Sequence, residues 1–277
     1  MSTDRSTRVP TRAEIEGAAE RIAPFVRRTP ALEAGRGSFG VPGRVVLKLE
    51  QLQHTGSFKV RGAFNRLLQA EVGPAGVVAA SGGNHGLAVA HAARVLGHRA
   101  EIFVPGSSPA VKVERIRAVG ATVRVVPGYY AQALAASEER VRETGALVVH
   151  AYDQPEVVAG QGTLGRELAE QVPDLDAVLV AVGGGGLIAG IASWFLGDVR
   201  VVGVEPEGCP TLSRALETGR PVEVEVGGVA ADALGAARAG RIALAAAERF
   251  VDRVVFVPDE AIVRAQRELW SAARVVA

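Results

Sequence analysis

Short apolar runs alternate with helical patterns along most of this chain, which predicts strands separated by helices. The predicted strands are 44–50, 77–80, 100–104, 122–126, 146–149, 177–182, 199–205 and 254–257. The predicted helices are 11–22, 57–69, 84–96, 109–119, 130–143, 156–171, 187–194, 236–250 and 258–274. Such alternation is typical of an α/β protein with parallel-rich sheets flanked by helices.

Two helix starts carry local signals. Thr11 and Glu14 have the spacing of a capping box, in which each side chain bonds the backbone of the other residue. Ser57 follows a polar loop and is predicted to cap the next helix.

The run of short strand-helix units between 76 and 152 predicts a small domain with its own sheet. The flanking parts, 1–66 and 154–277, are then expected to form a larger, discontinuous domain.

Composition narrows the functional classes. The net charge of +1 gives no strong electrostatic attraction to nucleic acid or to a membrane surface. No apolar run reaches the roughly 20 residues that are needed to span a bilayer. The single cysteine, Cys209, suits a reducing compartment, and the polar N-terminus lacks a signal-peptide core. We therefore expect a cytoplasmic protein with no nucleic-acid or membrane partner.

Four consecutive glycines, Gly183–Gly186, stand between a buried strand and the helix that continues through Leu187. Glycines let a ligand approach the backbone closely, and the N-terminus of a helix adds partial positive charge. The turn therefore predicts an anion site suited to a phosphate group.

Lysine chemistry has only three candidate positions, because the chain contains just Lys48, Lys59 and Lys112. Lys59 follows Phe58 at a predicted helix start, where it is either a solvated lysine or a desolvated lysine able to form a Schiff base. The patterns around Lys48 and Lys112 predict surface residues.

A second strand-to-helix turn runs from Ser81 to Gly86 and contains Gly82, Gly83, Asn84 and His85. It is either an ordinary helix cap or a second anion-binding turn suited to a substrate carboxylate, with Asn84 able to bond a ligand oxygen. Two such turns at strand ends favour a shared cleft.

A dinucleotide-binding alternative also fits part of the chain. Gly184, Gly186 and Ala189 satisfy a G-x-G-x-x-A fingerprint, and Glu205 ends the next strand where a ribose-binding acid would lie. The other interpretation of Glu205 is a solvent-exposed carboxylate at a strand end. The fingerprint explains neither Lys59 nor the Ser81–Gly86 turn.

Together, the stretch Thr55–Ala63, the Ser81–Gly86 turn and the glycine turn resemble the serine/threonine dehydratases, and the resemblance covers nearly the whole chain. It extends to Arg28–Pro30, Gly160–Thr163 and Val229–Gly235. The resemblance implies a two-domain pyridoxal-phosphate (PLP) enzyme of fold type II, the tryptophan synthase β-like fold.

The resemblance also implies a role for each motif. Lys59 would hold PLP as an internal aldimine with Phe58 near its ring, and Asn84 would bond its phenolic oxygen. The implied phosphate site comprises Gly183, Gly184, Gly185, Gly186 and Leu187, and the implied site for the substrate carboxylate comprises Ser81, Gly82, Gly83, Asn84 and His85.

Three departures from the family pattern shape the expectations. Some relatives bind a cation through acids at the positions of Glu205 and Thr211, so we expect no metal here. Racemising relatives carry a serine at position 82, so Gly82 favours elimination over racemisation. The family normally continues past Val276 into a final strand, which predicts a compromised, oligomerisation-prone fold.

The expected function is elimination from L-threonine, L-serine or a related hydroxy amino acid, giving a 2-oxo acid and ammonia, by a homodimer. The alternatives are another PLP elimination or racemisation, a PLP-binding relative that has lost activity, and an NAD-linked oxidoreductase.

Overall fold

The computed structural model describes residues 8–277, which contain nine strands and eleven α-helices. The strands are β1 (Ala31–Ala34), β2 (Val45–Lys48), β3 (Val77–Ala80), β4 (Ala100–Pro105), β5 (Thr122–Val126), β6 (Leu147–Val148), β7 (Ala177–Ala181), β8 (Arg200–Pro206) and β9 (Arg253–Val257). The helices are α1 (Arg12–Ile22), α2 (Lys59–Leu68), α3 (Asn84–Val95), α4 (Ala110–Ala118), α5 (Tyr130–Thr144), α6 (Pro155–Gln171), α7 (Gly186–Phe195), α8 (Thr211–Thr218), α9 (Ala231–Leu234), α10 (Arg241–Phe250) and α11 (Asp259–Ala273). Within these residues no helix is both long and apolar enough to cross a bilayer.

The strands form three sheets. One sheet has the order β5-β4-β3-β6 and a second has the order β7-β8-β9, and every pairing in both is parallel. Strands β1 and β2 form a separate antiparallel pair. The prediction of an α/β fold with parallel-rich sheets is therefore confirmed, whereas the boundaries of the two domains stay a prediction.

The two parallel sheets present their carboxyl ends to the functional motifs. Ala80 of β3, buried at the centre of its sheet, pairs with Phe103 of β4 and leads directly into Ser81. In the other sheet Ala181 of β7 precedes the glycine turn. Because ligands of open parallel sheets bind beyond the carboxyl ends of the strands, both turns stand where a cleft is expected.

Helix α6 packs so closely on α2 and α7 that two contacts require glycine. A Cβ atom at Gly160 would lie 2.6 Å from the carbonyl oxygen of Arg61, and one at Gly190 would lie 2.5 Å from the backbone nitrogen of Gly162. A Cβ atom at Gly162 would in turn lie 2.9 Å from the carbonyl oxygen of Gly190, so the packing explains both glycines of the Gly160–Thr163 stretch. The helices hold together the segments that carry Lys59 and the glycine turn.

The capping-box prediction at α1 is confirmed, whereas the predicted Ser57 cap is wrong. The Thr11 hydroxyl accepts from the backbone N–H of Glu14, whose carboxylate accepts from the N–H of Thr11. Helix α2 instead has Phe58 as its N-cap, and Phe58 already has helical angles. Ser57 therefore precedes the cap, and its buried hydroxyl has no hydrogen-bond partner within residues 8–277.

Several predicted boundaries change. The helix predicted over 236–250 begins at Arg241, and the short helix α9 lies ahead of it. Strand β1 and helix α8 were not predicted. Strand β1 shows no alternation between buried and exposed positions, and α8 begins after Pro210 without a side-chain cap, so neither element carries a local sequence signal.

Lys48 is buried in an ion network, so its prediction as a surface residue is wrong. Its side chain is 8% exposed and its Nζ lies 2.6 Å from Glu167 Oε2. The guanidinium of Arg61 is fully buried and bonds both Glu167 and Glu50. Burial lowers the pKa of Lys48. The network ties the β2 region and α2 to α6.

Candidate active site

The segment Val149–Asp153, which follows β6, connects the three motifs. The carbonyl oxygen of Val149 lies 2.9 Å from Nε2 of His85, and that of Ala151 accepts from Lys59 Nζ at 2.9 Å. The ring of Tyr152 packs against Gly184, so closely that a Cβ atom there would lie 2.3 Å from the ring. The structure therefore brings the lysine, the Ser81–Gly86 turn and the glycine turn together around one strand end.

Lys59 lies in an environment that favours a neutral amine. Burial lowers its pKa from 10.5 to about 8. Its Nζ is 5.1 Å from the centroid of the Phe58 ring, and no acidic side chain within residues 8–277 forms an ion pair with it. A lysine with this pKa has a far larger neutral fraction near pH 8 than an ordinary lysine, as a nucleophile requires.

His85 anchors the Ser81–Gly86 turn rather than serving as an acid or base. It is buried, and burial together with the nearby Lys59 charge lowers its pKa to about 3. Because the Val149 carbonyl can only accept, His85 Nε2 carries the proton and donates to it. The neutral ring thereby holds the start of α3 against the strand end of β6.

The Ser81–Gly86 turn presents backbone donors at the start of α3. Gly83 donates its N–H to the Ser81 hydroxyl at 3.1 Å. Within residues 8–277 the N–H groups of Asn84 and His85 meet no acceptor, and the Asn84 side chain is exposed. Unpaired donors at a helix start can bind an anion such as a carboxylate.

The glycine turn is a cradle that leaves no room for side chains. A Cβ atom at Gly183 would lie 2.8 Å from the carbonyl oxygen of Leu234, and one at Gly185 would lie 2.4 Å from Ala243 Cβ. Gly185 also has φ +85°, which a residue with a side chain rarely adopts. Gly184 accepts from the N–H of Gly240 at 3.0 Å, which fixes the turn against the start of α10.

The donors of this turn are directed at no protein group. Within residues 8–277 the backbone N–H groups from Gly183 to Leu187 meet no acceptor. They stand at the N-terminus of α7, where the aligned peptide dipoles add positive potential. A phosphate group fits these donors.

Two buried hydroxyl groups near Lys59 also have no partner. Thr55 Oγ1 and Ser57 Oγ are buried and form no hydrogen bond with any described residue. Buried polar groups are almost always bonded, so orphaned hydroxyls indicate a place for a polar ligand. Together with Lys59 and the glycine cradle they fit PLP, which needs a lysine, a phosphate site and polar partners.

Glu205 is buried, so its interpretation as a solvent-exposed carboxylate is wrong. Its carboxylate accepts from the N–H groups of Leu212 at 2.6 Å and Ser213 at 3.1 Å, at the start of α8. The Thr211 hydroxyl bonds the carbonyl oxygen of Gly183 and lies 3.1 Å from Glu205. A carboxylate held in this way is unavailable to a ribose. The expectation of no metal at this position stays a prediction.

Sequence reasoning missed the Val149–Asp153 segment. Tyr152 packs on the glycine turn, and Asp153 Oδ1 accepts from the N–H of Ile242 at 3.0 Å. His150 Nδ1 accepts from the N–H groups of Tyr152 and Asp153, which fixes the bend. The signal that could have found it is its location directly after the predicted strand 146–149. Residues just beyond the carboxyl end of a parallel strand are where ligand sites form.

Comparison with known proteins gives a consistent result. The family model for pyridoxal-phosphate dependent enzymes matches residues 22–277. The chain is 38% identical over 272 residues to L-threonine ammonia-lyase of Thermotoga maritima, covering 96% of this chain and 68% of that protein. It is 39% identical over 258 residues to L-threonine ammonia-lyase of Geobacter sulfurreducens, covering 91% of this chain and 64% of that protein.

Solved structures show the same relationship. Maize serine racemase superposes with a TM-score of 0.92 at 32% identity, covering 97% of this chain and 83% of that one. The processed form of threonine deaminase isoform 2 from Solanum lycopersicum superposes with a TM-score of 0.87 at 30% identity, covering 95% of this chain and 80% of that one. With the family match and the site geometry, these similarities identify the chain as a member of the pyridoxal-phosphate-dependent enzymes, within the serine/threonine dehydratase family.

Proposed function

We propose that this chain catalyses PLP-dependent elimination from L-threonine, L-serine or a related hydroxy amino acid, giving a 2-oxo acid and ammonia. The observation that carries the proposal is the Val149–Asp153 segment, which gathers the lysine and both donor-rich turns at one strand end. The relatives named L-threonine ammonia-lyase support the reaction class.

Each part of the site then has a role. Lys59 would hold the cofactor covalently, with Phe58 beside its ring. The turn from Gly183 to Leu187 would bind its phosphate, and the exposed side-chain amide of Asn84 would donate a hydrogen bond to a cofactor oxygen. The donors of the Ser81–His85 loop bind the substrate carboxylate. PLP, when bound, supplies an electron sink for the charge that develops at the substrate Cα.

Proton transfer falls to Lys59. When it is not attached to the cofactor, its amine would take the Cα proton of the substrate, a task suited to a base whose pKa burial lowers to about 8. The β-hydroxyl would leave as water, gaining one proton that balances the proton taken from Cα, and a later hydrolysis would consume one water and release ammonia. The net products are therefore one 2-oxo acid and one ammonia for each amino acid.

The test is a substrate panel with the purified protein and PLP. L-threonine, L-serine and their D-enantiomers are incubated separately, and oxo-acid release and the chirality of the recovered amino acid are measured. Faster oxo-acid release from an L-hydroxy amino acid than inversion supports elimination. Inversion of serine faster than pyruvate release would instead favour racemisation, the activity named for the maize structure.

We also propose an oligomeric state and a cellular location for the protein. A homodimer is our expectation, to be measured by light scattering of the cofactor-loaded protein. A cytoplasmic location agrees with a free, buried Cys209 and is tested by cell fractionation.

A further inference from the structure

Ser108 occupies the space that a side chain at position 82 would fill. An ideal Cβ atom built on Gly82 would lie 2.0 Å from Ser108 Oγ and 2.8 Å from Ser108 Cβ. Gly82 is not among the glycines with positive φ. Glycine is therefore needed at position 82 for space, because the Ser108 hydroxyl fills it, and not for backbone conformation.

The fold places Ser108 beside the Ser81–Gly86 turn. Strands β3 and β4 are parallel neighbours, so the loops after them leave the same edge of the sheet. Ser81 donates its N–H to the carbonyl oxygen of Phe103 in β4, and Ser108 donates its N–H to the carbonyl oxygen of Pro105 at 3.0 Å. These bonds fix both loops to the end of β4.

The Ser108 hydroxyl is available to a ligand. Within residues 8–277 Ser108 forms a hydrogen bond only through its backbone N–H, to Pro105, and the residue is half-buried. It adjoins a turn whose backbone donors at Asn84 and His85 also meet no acceptor. A hydroxyl in contact with Gly82 of this turn can add a side-chain donor to the same anion site.

We propose that Ser108 is a substrate-binding residue, whose hydroxyl, standing where a side chain from position 82 would otherwise lie, donates a hydrogen bond to the substrate α-carboxylate. This inference rests on the proposed function, which places that carboxylate at the Ser81–His85 loop. The hydroxyl comes from the loop between β4 and α4, which the sequence motifs did not include.

The first test measures amino-acid binding to the PLP-loaded protein by the change in the cofactor spectrum. L-alanine is the probe, because it has the carboxylate but no β-hydroxyl to eliminate. Ser108→Ala should weaken L-alanine binding about tenfold, the effect of losing one hydrogen bond to a charged group. PLP affinity should stay unchanged. The control is Ser107→Ala, in the same loop but exposed, which should bind L-alanine as the wild type does.

A second ligand tests which group Ser108 contacts. Ethylamine is L-alanine without its carboxylate, so Ser108→Ala should leave ethylamine binding unchanged. Equal weakening for both ligands, or equal L-alanine binding by Ser108→Ala and Ser107→Ala, would overturn the inference while leaving the proposed function intact. A loaded wild type that binds no amino acid would overturn both.

A paired substitution tests the shared space. Gly82→Ser alone should lower the melting temperature by about 3 °C or more, because its Cβ collides with Ser108. Combining it with Ser108→Gly should restore stability. Because the double variant has a new hydroxyl at position 82, it should bind L-alanine better than Ser108→Gly alone does. If the folded double variant binds L-alanine no better than Ser108→Gly does, a hydroxyl from position 82 cannot replace the Ser108 hydroxyl. That result would contradict the inference that the two positions share one hydroxyl site.

Discussion

The side-chain nitrogen of Lys59 lies 2.9 Å from the carbonyl oxygen of Ala151, to which it donates a hydrogen bond. The adjacent Tyr152 packs on the glycine turn, and Val149, two residues before Ala151, bonds His85. One short segment therefore fixes the position of the lysine relative to both glycine-containing turns, each of which has backbone N–H groups that meet no acceptor within residues 8–277. Positioning of this kind is the main contribution that a protein makes to cofactor chemistry.

We predict that Lys59 is the lysine that binds PLP. Borohydride reduction of the loaded protein followed by peptide mapping should place the cofactor on Lys59. Lys59→Ala should lose both the visible absorbance band and turnover, because the chain offers no other buried, unpaired lysine within residues 8–277. Lys112→Ala is the control and should keep both. Reduced cofactor on Lys48 or Lys112 would refute the assignment.

The lowered pKa of Lys59 predicts how cofactor attachment depends on pH. Only the neutral amine attacks a carbonyl, so the rate of PLP attachment to the cofactor-free protein should rise with pH around a midpoint of about 8. Stopped-flow absorbance at several pH values measures this midpoint. A midpoint near 10.5, the ordinary lysine value, would show that burial has no effect on the amine.

The same shift predicts a change in stability. Between about pH 8 and pH 10.5 the unfolded chain binds a proton at Lys59 that the folded, cofactor-free protein does not bind. Stability attributable to this group therefore rises with pH across that window and is lowest below it. Lys59→Met should be more stable than the wild type at pH 7, and the difference should narrow as the pH rises. Urea denaturation at matched pH values gives the comparison.

Gly184→Ala should displace Tyr152 and weaken PLP binding at least tenfold. The added Cβ would lie 2.3 Å from the Tyr152 ring. Overpacking of this kind costs about 1–3 kcal/mol. Fluorescence titration measures PLP affinity, and Gly43→Ala is the control because nothing lies within 4 Å of its Cβ position. Adding Tyr152→Ala should restore part of the affinity of Gly184→Ala. Additive losses would show that the ring is not the cause.

The sequence predicted the fold and the motifs because both depend on local patterns. Apolar runs such as Val77–Ala80 mark buried strands, and glycine turns such as Gly183–Gly186 mark strand-to-helix junctions. The predicted helix over 130–143 matches α5, which ends before Gly145 in a left-handed conformation. Such signals lie within a few residues of the element that they define.

Contacts between segments that are far apart in the sequence could not be predicted from such local signals. Lys48 has the pattern of a strand residue facing solvent. It is buried because α6, which carries Glu167, packs against it. The Thr211 hydroxyl likewise bonds the carbonyl oxygen of Gly183, 28 positions earlier in the chain. Ser108 meets Gly82 only because β3 and β4 are neighbours. No spacing in the sequence reports these pairs, since the tertiary fold creates them.

Glu167→Gln should destabilise the protein strongly. The carboxylate accepts from Arg61 and from Lys48, whose side chains are 0% and 8% exposed. Removing its charge leaves two buried cations with Glu50 as their remaining acid. Breaking a buried ion pair on one side costs about 3–5 kcal/mol. Urea denaturation at pH 7 measures the loss in free energy of unfolding.

Glu170→Gln is the matched control, three residues further along the same helix. Glu170 pairs with Arg28 and Arg166, but its side chain is 42% exposed, and exposed pairs contribute about 1 kcal/mol or less. Similar losses for Glu167→Gln and Glu170→Gln would show that the buried network adds no special stability.

The pH dependence of the Glu167→Gln difference tests its electrostatic origin. Burial alone would raise the pKa of Glu167, but its hydrogen bond with Arg61 and the Arg61 charge outweigh burial and lower it. The stability from this group is therefore complete above the ordinary glutamate pKa of about 4.3 and is lost as the pH falls through the lower folded value. The gap between wild type and Glu167→Gln should thus be constant from pH 8 to pH 6 and shrink below about pH 4. A gap that persists unchanged into strong acid would assign the loss to packing and not to charge.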